Sequence, residues 1–415
     1  MRFASRGDLD GGRVAVRRST PRLYVLDGLR LIAALMVVLF HLVSLRGGWD
    51  RPAAEIFPAA EPLARYGWLG VEVFFLISGF VICMSTWGRS LGDFVVSRAS
   101  RIYPAYWVAI FLTAGVVTMW PQVRDVKNWD VVLTNLTMLQ QGLGVWDVDG
   151  VYWTLFIELK FYVLFAIVVA TGVTYRKCVL FCGIWTVLSI TAPTVDNKLL
   201  DMWAMPIYSP YFIAGIAFYL MHRFKPTAVL WGIVIMSLLL ALHQVPRRVS
   251  DNSSEVIPTW PATLIVFIAF VLMALISLGY CDRLQWRWLA TAGALTYPLY
   301  LIHQYIGMTL TYWLRHTVPA PLLVLGIIVL MLGAAWVLHR CVERPLGKWL
   351  RRVLQNGMEE MRRQSARDAD RREVAPEAPL RSTVDVPPAA RAQRPYEQKE
   401  PDRVGVGAPG ASDGA

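Results

Sequence analysis

The chain alternates long apolar runs with short polar segments. A helix needs about 20 mostly apolar residues to cross roughly 30 Å of hydrocarbon. By that measure the sequence predicts ten spanning helices, near 23–44, 66–87, 102–120, 152–173, 178–193, 205–221, 228–245, 260–280, 291–313 and 321–341. The fifth and sixth are the shortest. The connections are brief except for a loop at about 121–151, and no 20–50-residue period recurs, which excludes a solenoid. The fold class that follows is all-α, a polytopic membrane protein. The first run is too long for a cleavable signal sequence, carries Asp27, Arg30 and His41, and has no small-residue cleavage site beyond it. It should remain as a helix.

Composition points the same way. Hydrophobic residues make up 55% of the 415 and charged residues only 17%, against roughly 45–50% and 25% in soluble domains. Mean hydropathy is +0.43. These values exclude a soluble single-core enzyme and a disordered or fibrous chain. The five Cys are too few and too scattered for a disulfide framework, and none has zinc-site spacing with His, so they read as free thiols and no metal site is expected.

The net charge of +11 is unevenly placed. Arg2, Arg6, Arg13, Arg17, Arg18 and Arg22 precede the first span, and Arg344, Lys348, Arg351 and Arg352 follow the last. An even number of spans puts both basic ends on one side, which the positive-inside rule makes the cytoplasm of a multi-pass protein in the cell membrane. Three regions follow: a basic cytoplasmic arm (1–22), a ten-helix membrane domain (23–354) and a cytoplasmic tail (355–415). The tail is rich in Arg, Glu, Asp, Ala and Pro and poor in large apolar side chains, so disorder is expected there. Its charges nearly cancel. The positive charge therefore belongs to the membrane domain and its arm, where membrane lipids with anionic headgroups or a phosphorylated ligand are the expected partners. No nucleic-acid motif accompanies it.

Ionisable residues inside spans cost several kcal/mol and mark candidate sites. On a straight helix, eleven steps of 100° return His41 to within about 20° of Arg30 and about 16 Å along the axis, with Asp27 one turn before Arg30. The three should share one inward stripe. A snorkelling Asp27–Arg30 pair would leave a histidine deep in the span unexplained. Glu72 lies in the second span, Glu158 and Lys160 in the fourth, and His303 in the ninth. Each has a plainer reading as polar glue between helices. Glu158 and Lys160 are two residues apart and should face different ways. Arg98 and Arg101, at i and i+3 in SRASRIYPAYW, would share a helix face and form a fork for phosphate oxygens. Ordinary positive-inside anchoring is the alternative. The remaining histidines lie at span ends or in loops.

Together LDGLRLIAALMVVLFHL, GVEVFFLISGF, Arg98-x-x-Arg101 with Tyr103-Pro104, YWTLFIELKFY, TYPLYLIHQ and VERPLGKW make the chain resemble the acyltransferase 3 family of membrane O-acyltransferases over about residues 22–350. The resemblance implies transfer of an acyl group, commonly acetyl, from acyl-CoA as co-substrate to a hydroxyl of a carbohydrate or glycolipid acceptor, with no permanently bound cofactor. It makes His41 the essential histidine, with Arg30 and Glu158 beside it, and Arg98 and Arg101 the holders of the CoA phosphates. Asp27, Glu72, Tyr103 and His303 are further pocket candidates. Lys160 departs from the family pattern, where a neutral or acidic residue is usual. The chemistry suits these residues. A thioester needs no metal to be attacked, and a histidine titrates near operating pH. Direct transfer and an acyl-histidine intermediate both remain open. Two rivals are a transporter using the buried charges as a relay and a structural or sensory membrane protein. The polar spans lack the paired Gly/Pro-broken halves of many transporters.

Overall fold

A computed structural model describes residues 23–374 except 46, 127 and 254. The basic arm (1–22) and the tail beyond 374 lie outside the described residues. Regular structure among the described residues is entirely helical: α1 (Tyr24–Leu39), α2 (Gly70–Thr86), α3 (Leu91–Met119), α4 (Trp153–Ala170), α5 (Tyr175–Thr191), α6 (Ser209–Arg223), α7 (Ala228–Asn252), α8 (Trp260–Ser277), α9 (Trp288–Ile302), α10 (Gln304–Leu314), α11 (Ala320–Leu338) and α12 (Arg344–Val374). Short helical turns fill several connections.

Nine helical segments among the described residues are long and apolar enough to cross a membrane. The expected ninth of ten spans is instead split into α9 and α10, which meet at His303. Its backbone there stays near helical values, φ −77° and ψ −30°, so the two pieces continue on one course with a bend. Pro298, inside α9, removes one amide donor just ahead of the break.

α6 is the centre of the bundle. Every residue from Ser209 to Met221 is buried, as expected of a helix that is apolar all round. It packs most extensively on α2, with α7, α5 and α8 around it, and α1 packs on α9 and α2. α2 and α6 cross at Gly79 and Gly215. A Cβ at Gly215 would lie 2.9 Å from the Cα of Gly79 and would also strike the backbone of α2. Small residues at a crossing are how helices in lipid gain close packing without a hydrophobic drive between them. The outer faces present large apolar side chains such as Ile167, Leu180 and Val329, each more than 60% exposed, and hydrocarbon is the solvent that suits them.

Two spans end in π turns, Phe40–Ser44 after α1 and His339–Glu343 before α12. In the first, the Leu45 amide donates back to the Phe40 carbonyl at 3.0 Å, and the Trp49 indole N–H donates to the Leu42 carbonyl at 2.8 Å. In the second, Pro345 comes two residues after the turn's last residue and lacks the amide a regular turn would use. α3 begins at Leu91, eleven residues before the predicted span, behind a Ser90 cap whose hydroxyl accepts from the Asp93 amide at 3.2 Å. Arg98 and Arg101 therefore sit on regular helix.

The disorder expected from residue 355 is corrected for its first part: α12 continues to Val374. The chain divides into Met1–Met361 and Arg362–Ala415, and the described residues of the second unit are helical. Residues 355–374 are rich in Arg, Glu, Gln, Met and Ala, which favour helix. They extend an existing helix, so no new nucleus has to form.

Glu72 has a structural partner that the sequence did not reveal. The Arg248 Nη2 and Nε donate to Glu72 Oε1 at 2.8 and 3.1 Å. Both residues are buried, and the guanidinium lies 4.9 Å from the Trp68 ring centre. The seventh predicted span ends at 245, whereas α7 runs to Asn252 and brings Arg248 into the bundle. Removing one member of such a pair leaves a buried charge uncompensated. Arg248→Leu should cost about 3–5 kcal/mol, read as a lowered unfolding midpoint in detergent. The double variant Glu72→Leu/Arg248→Leu should recover most of that loss. Additive losses in the double variant would contradict the pairing.

Candidate active site

Five helices enclose a cavity of about 840 Å³, counting the space at its mouth. α1 contributes Arg30, α2 Ser78, α3 Arg98 and Arg101, α4 Glu158 and Tyr162, and α9 Tyr297 and Tyr300. Three of the four charged side chains on its walls are arginines. Arg98 Nη2 is held by the Ser97 hydroxyl at 3.2 Å, while its buried Nε has no partner among the described residues. Arg101 is exposed and stands at the mouth. Ser78 and Tyr162 both donate to Glu158 Oε1, at 2.7 and 2.5 Å, which fixes that carboxylate in the wall. A partly desolvated space with guanidiniums on several sides suits a polyanion, because each fork can meet two phosphate oxygens.

A histidine pair lies behind one wall of this cavity. His41 Nδ1 is 3.0 Å from His303 Nε2, and His303 Nδ1 is 2.8 Å from the Tyr300 carbonyl oxygen. A carbonyl can only accept, so Nδ1 of His303 carries a proton. In the neutral ring its Nε2 is then a lone pair, which accepts from the Nδ1–H of His41. The chain of bonds leaves His41 Nε2 as the basic nitrogen. Tyr300 forms the shared wall: it lines the cavity, and its ring lies 5.6 Å from that of His303. Its hydroxyl is 2.9 Å from Thr154 Oγ1.

Local backbone irregularities create this geometry. His41 sits in the π turn that ends the first span, and His303 sits at the break between α9 and α10. The break frees backbone groups that other residues take up. The Tyr152 hydroxyl donates to the Leu301 carbonyl at 3.2 Å, and Asp149 Oδ2 accepts from the Tyr305 amide at 3.3 Å. Asp149 Oδ1 also accepts from the Val151 amide at 3.3 Å. Burial pushes the Asp149 carboxyl up to about 7. Asp149 falls in the loop at about 121–151 and Tyr152 opens the fourth predicted span, and neither is among the candidates that the sequence singles out. The one available signal was the Asp-Gly pair just before the fourth span.

The other candidates divide. Asp27 is buried 4.0 Å from Arg30, against α9 at Gly293, where a Cβ would overlap its side chain. It is an interior residue, not a snorkelling one. Glu72 is outside the cavity, in its pair with Arg248. Tyr103 turns away, its hydroxyl donating to the Thr137 carbonyl at 3.3 Å. Lys160 points the opposite way from Glu158 and donates to the Met202 carbonyl at 3.0 Å. Arg30, Arg98, Arg101 and Glu158 are thus gathered in one cavity, with His41 and His303 paired beside it.

Comparison with known proteins supplies the family. A family model described as an acyltransferase domain matches residues 23–340. Acyltransferase MdmB of Streptomyces mycarofaciens is 28% identical over 377 residues, covering 80% of this chain and 93% of the relative. Exopolysaccharide production protein ExoZ of Rhizobium meliloti is 30% identical over 190 residues, covering 42% of this chain and 59% of the relative. YrhL of Bacillus subtilis, whose name assigns it provisionally to peptidoglycan O-acetylation, is 26% identical over 171 residues, covering 37% of this chain and 24% of the relative. No solved structure matches significantly. With the match spanning the whole helical bundle that holds the cavity and the histidine pair, the chain belongs to the acyltransferase 3 family of membrane acyltransferases.

Proposed function

We propose that this protein moves an acyl group, acetyl in the simplest case, from acyl-CoA to a hydroxyl of an envelope carbohydrate or glycolipid. The observation that carries the reading is the arginine-walled cavity with a histidine pair behind its Tyr300 wall, in which His303 sets the basic nitrogen of His41. Arg98 and Arg101, with Arg30 deeper in the same cavity, hold the CoA phosphates. The pantetheine arm runs along the bundle past Glu158 toward Tyr300. His41 lies about 16 Å along the first span from Arg30, a separation suited to a long, thin arm. With the basic ends in the cytoplasm, the arginine end faces the acyl-CoA supply, and the acceptor comes from the histidine end.

In the reaction, the acceptor oxygen attacks the thioester carbonyl while His41 Nε2 takes its proton. The C–S bond breaks, and the proton passes from His41 to the departing thiolate, giving CoA and the ester. His303 accepts the Nδ1–H of His41 and so stabilises the imidazolium that forms between the two proton transfers. The names of the relatives, which include exopolysaccharide production and peptidoglycan O-acetylation, support a surface carbohydrate as acceptor.

Two measurements test this. His41→Ala should lower turnover about 10²–10⁴-fold in protein that inserts normally, the usual contribution of a positioned base. Retention of more than about a tenth of wild-type turnover excludes that role. Arg98→Ala or Arg101→Ala should raise KM for acyl-CoA, since losing a charge-assisted bond costs roughly 1.5–3 kcal/mol, about ten- to hundred-fold. Pantetheine thioesters, which lack the CoA phosphates, should be affected less. An equal loss with every donor would mean that the arginines only support the fold. A transporter would bind these thioesters without consuming them.

A further inference from the structure

In an unbroken helix the Tyr305 amide would donate to the Leu301 carbonyl. Here neither group meets the other. Tyr305 donates to Asp149 Oδ2 at 3.3 Å, and Leu301 accepts from the Tyr152 hydroxyl at 3.2 Å. Both partners come from one tight turn, Asp149–Tyr152, at the start of the fourth span. The turn is pressed against the break. A Cβ at Gly150 would lie 2.6–3.0 Å from the side-chain amide of Gln304, so the turn touches the first residue of α10. Asp149 is completely buried and forms no ion pair among the described residues. Its two carboxylate oxygens are each committed to a backbone amide, one on each side of the contact.

We infer that Asp149 is a positioning residue for acyl transfer: through the Tyr305 amide it holds open the helix break that aims His303 at His41. The carboxylate caps α10 from another segment of the chain, as an N-cap side chain would from within. With Tyr305 so held, α9 and α10 cannot close into a straight helix. His303 then keeps its place at the break, with Nδ1 2.8 Å from the Tyr300 carbonyl and Nε2 3.0 Å from His41. The inference rests on the proposed role of His41. It assigns the Asp149–Tyr152 turn to the chemistry, where a cap of the fourth span alone would serve only folding.

The test uses the full-length chain in native membrane vesicles, with CoA release from acetyl-CoA as the readout and vesicles carrying His41→Ala as the blank. Asp149→Asn keeps the shape but only one acceptor oxygen. It should lower kcat about ten-fold and leave KM for acetyl-CoA within about two-fold, because the arginine cavity is separate. Combined with His303→Ala, Asp149→Asn should cause no further loss, since the two act on one step. If Asp149→Asn fails to accumulate, Tyr152→Phe, which frees the Leu301 carbonyl alone, should show the same non-additivity. Losses that multiply with His303→Ala, or a raised KM at unchanged kcat, would overturn the inference while leaving the role of His41 intact. Absence of any His41-dependent CoA release would overturn both.

Discussion

Hydrocarbon offers no hydrogen bonds, so every backbone group inside a span must find its partner within the protein. That constraint governs the positions of both histidines. His41 occupies a π turn whose Leu42 carbonyl is taken up by the Trp49 indole. His303 occupies a helix break whose freed groups are taken up by Tyr152, Asp149 and its own ring. A straight first or ninth span would satisfy its own backbone but would lack the π turn that carries His41 and the break that carries His303. The protein departs from regular helix at the two points where the proposed chemistry needs a side chain aimed, and it supplies a hydrogen-bond partner for each departure.

Charge follows a complementary logic. The buried Glu72–Arg248 pair neutralises itself and stays out of the cavity. The cavity walls carry three guanidiniums, Arg30, Arg98 and Arg101, against one carboxylate, Glu158, whose Oε1 is already occupied by two hydroxyls, with Asp27 4.0 Å from Arg30 as a second carboxylate nearby. An excess of guanidinium in a confined space is unfavourable until an anion enters it. Among the described residues the buried Arg98 Nε has no hydrogen-bond partner. The charged cavity and the histidine pair share Tyr300 as a wall. A phosphorylated donor can therefore be held at one level of the bundle while its reactive end is handled at another.

Much of this was legible in the chain. Length and hydropathy alone locate the spans, because membrane thickness sets a minimum that chance runs rarely meet. The helical spacing of Arg98 and Arg101 puts them on one face, and the opposed directions of Glu158 and Lys160 follow from a two-residue separation. What stayed hidden depends on contacts distant in sequence. Arg248 lies 176 residues from its partner Glu72, and Asp149 lies 156 from Tyr305. A uniform step of 100° cannot represent the π turn at His41 or the break at His303. The 355–374 segment misled for a different reason: its composition argues against a packed core, yet a helix continued from a span needs no core of its own.

The central claim is that His303 holds His41 in the form that can accept a proton. The most direct measurement is steady-state turnover of acyl-CoA by purified His303→Leu protein, compared with wild type at the same occupancy of the donor site. KM for acyl-CoA should be unchanged, because the arginine cavity is untouched, and kcat should fall about hundred-fold, the usual scale for a misplaced catalytic group. Wild-type kcat in His303→Leu would contradict the claim, since His41 would then need no partner at Nδ1.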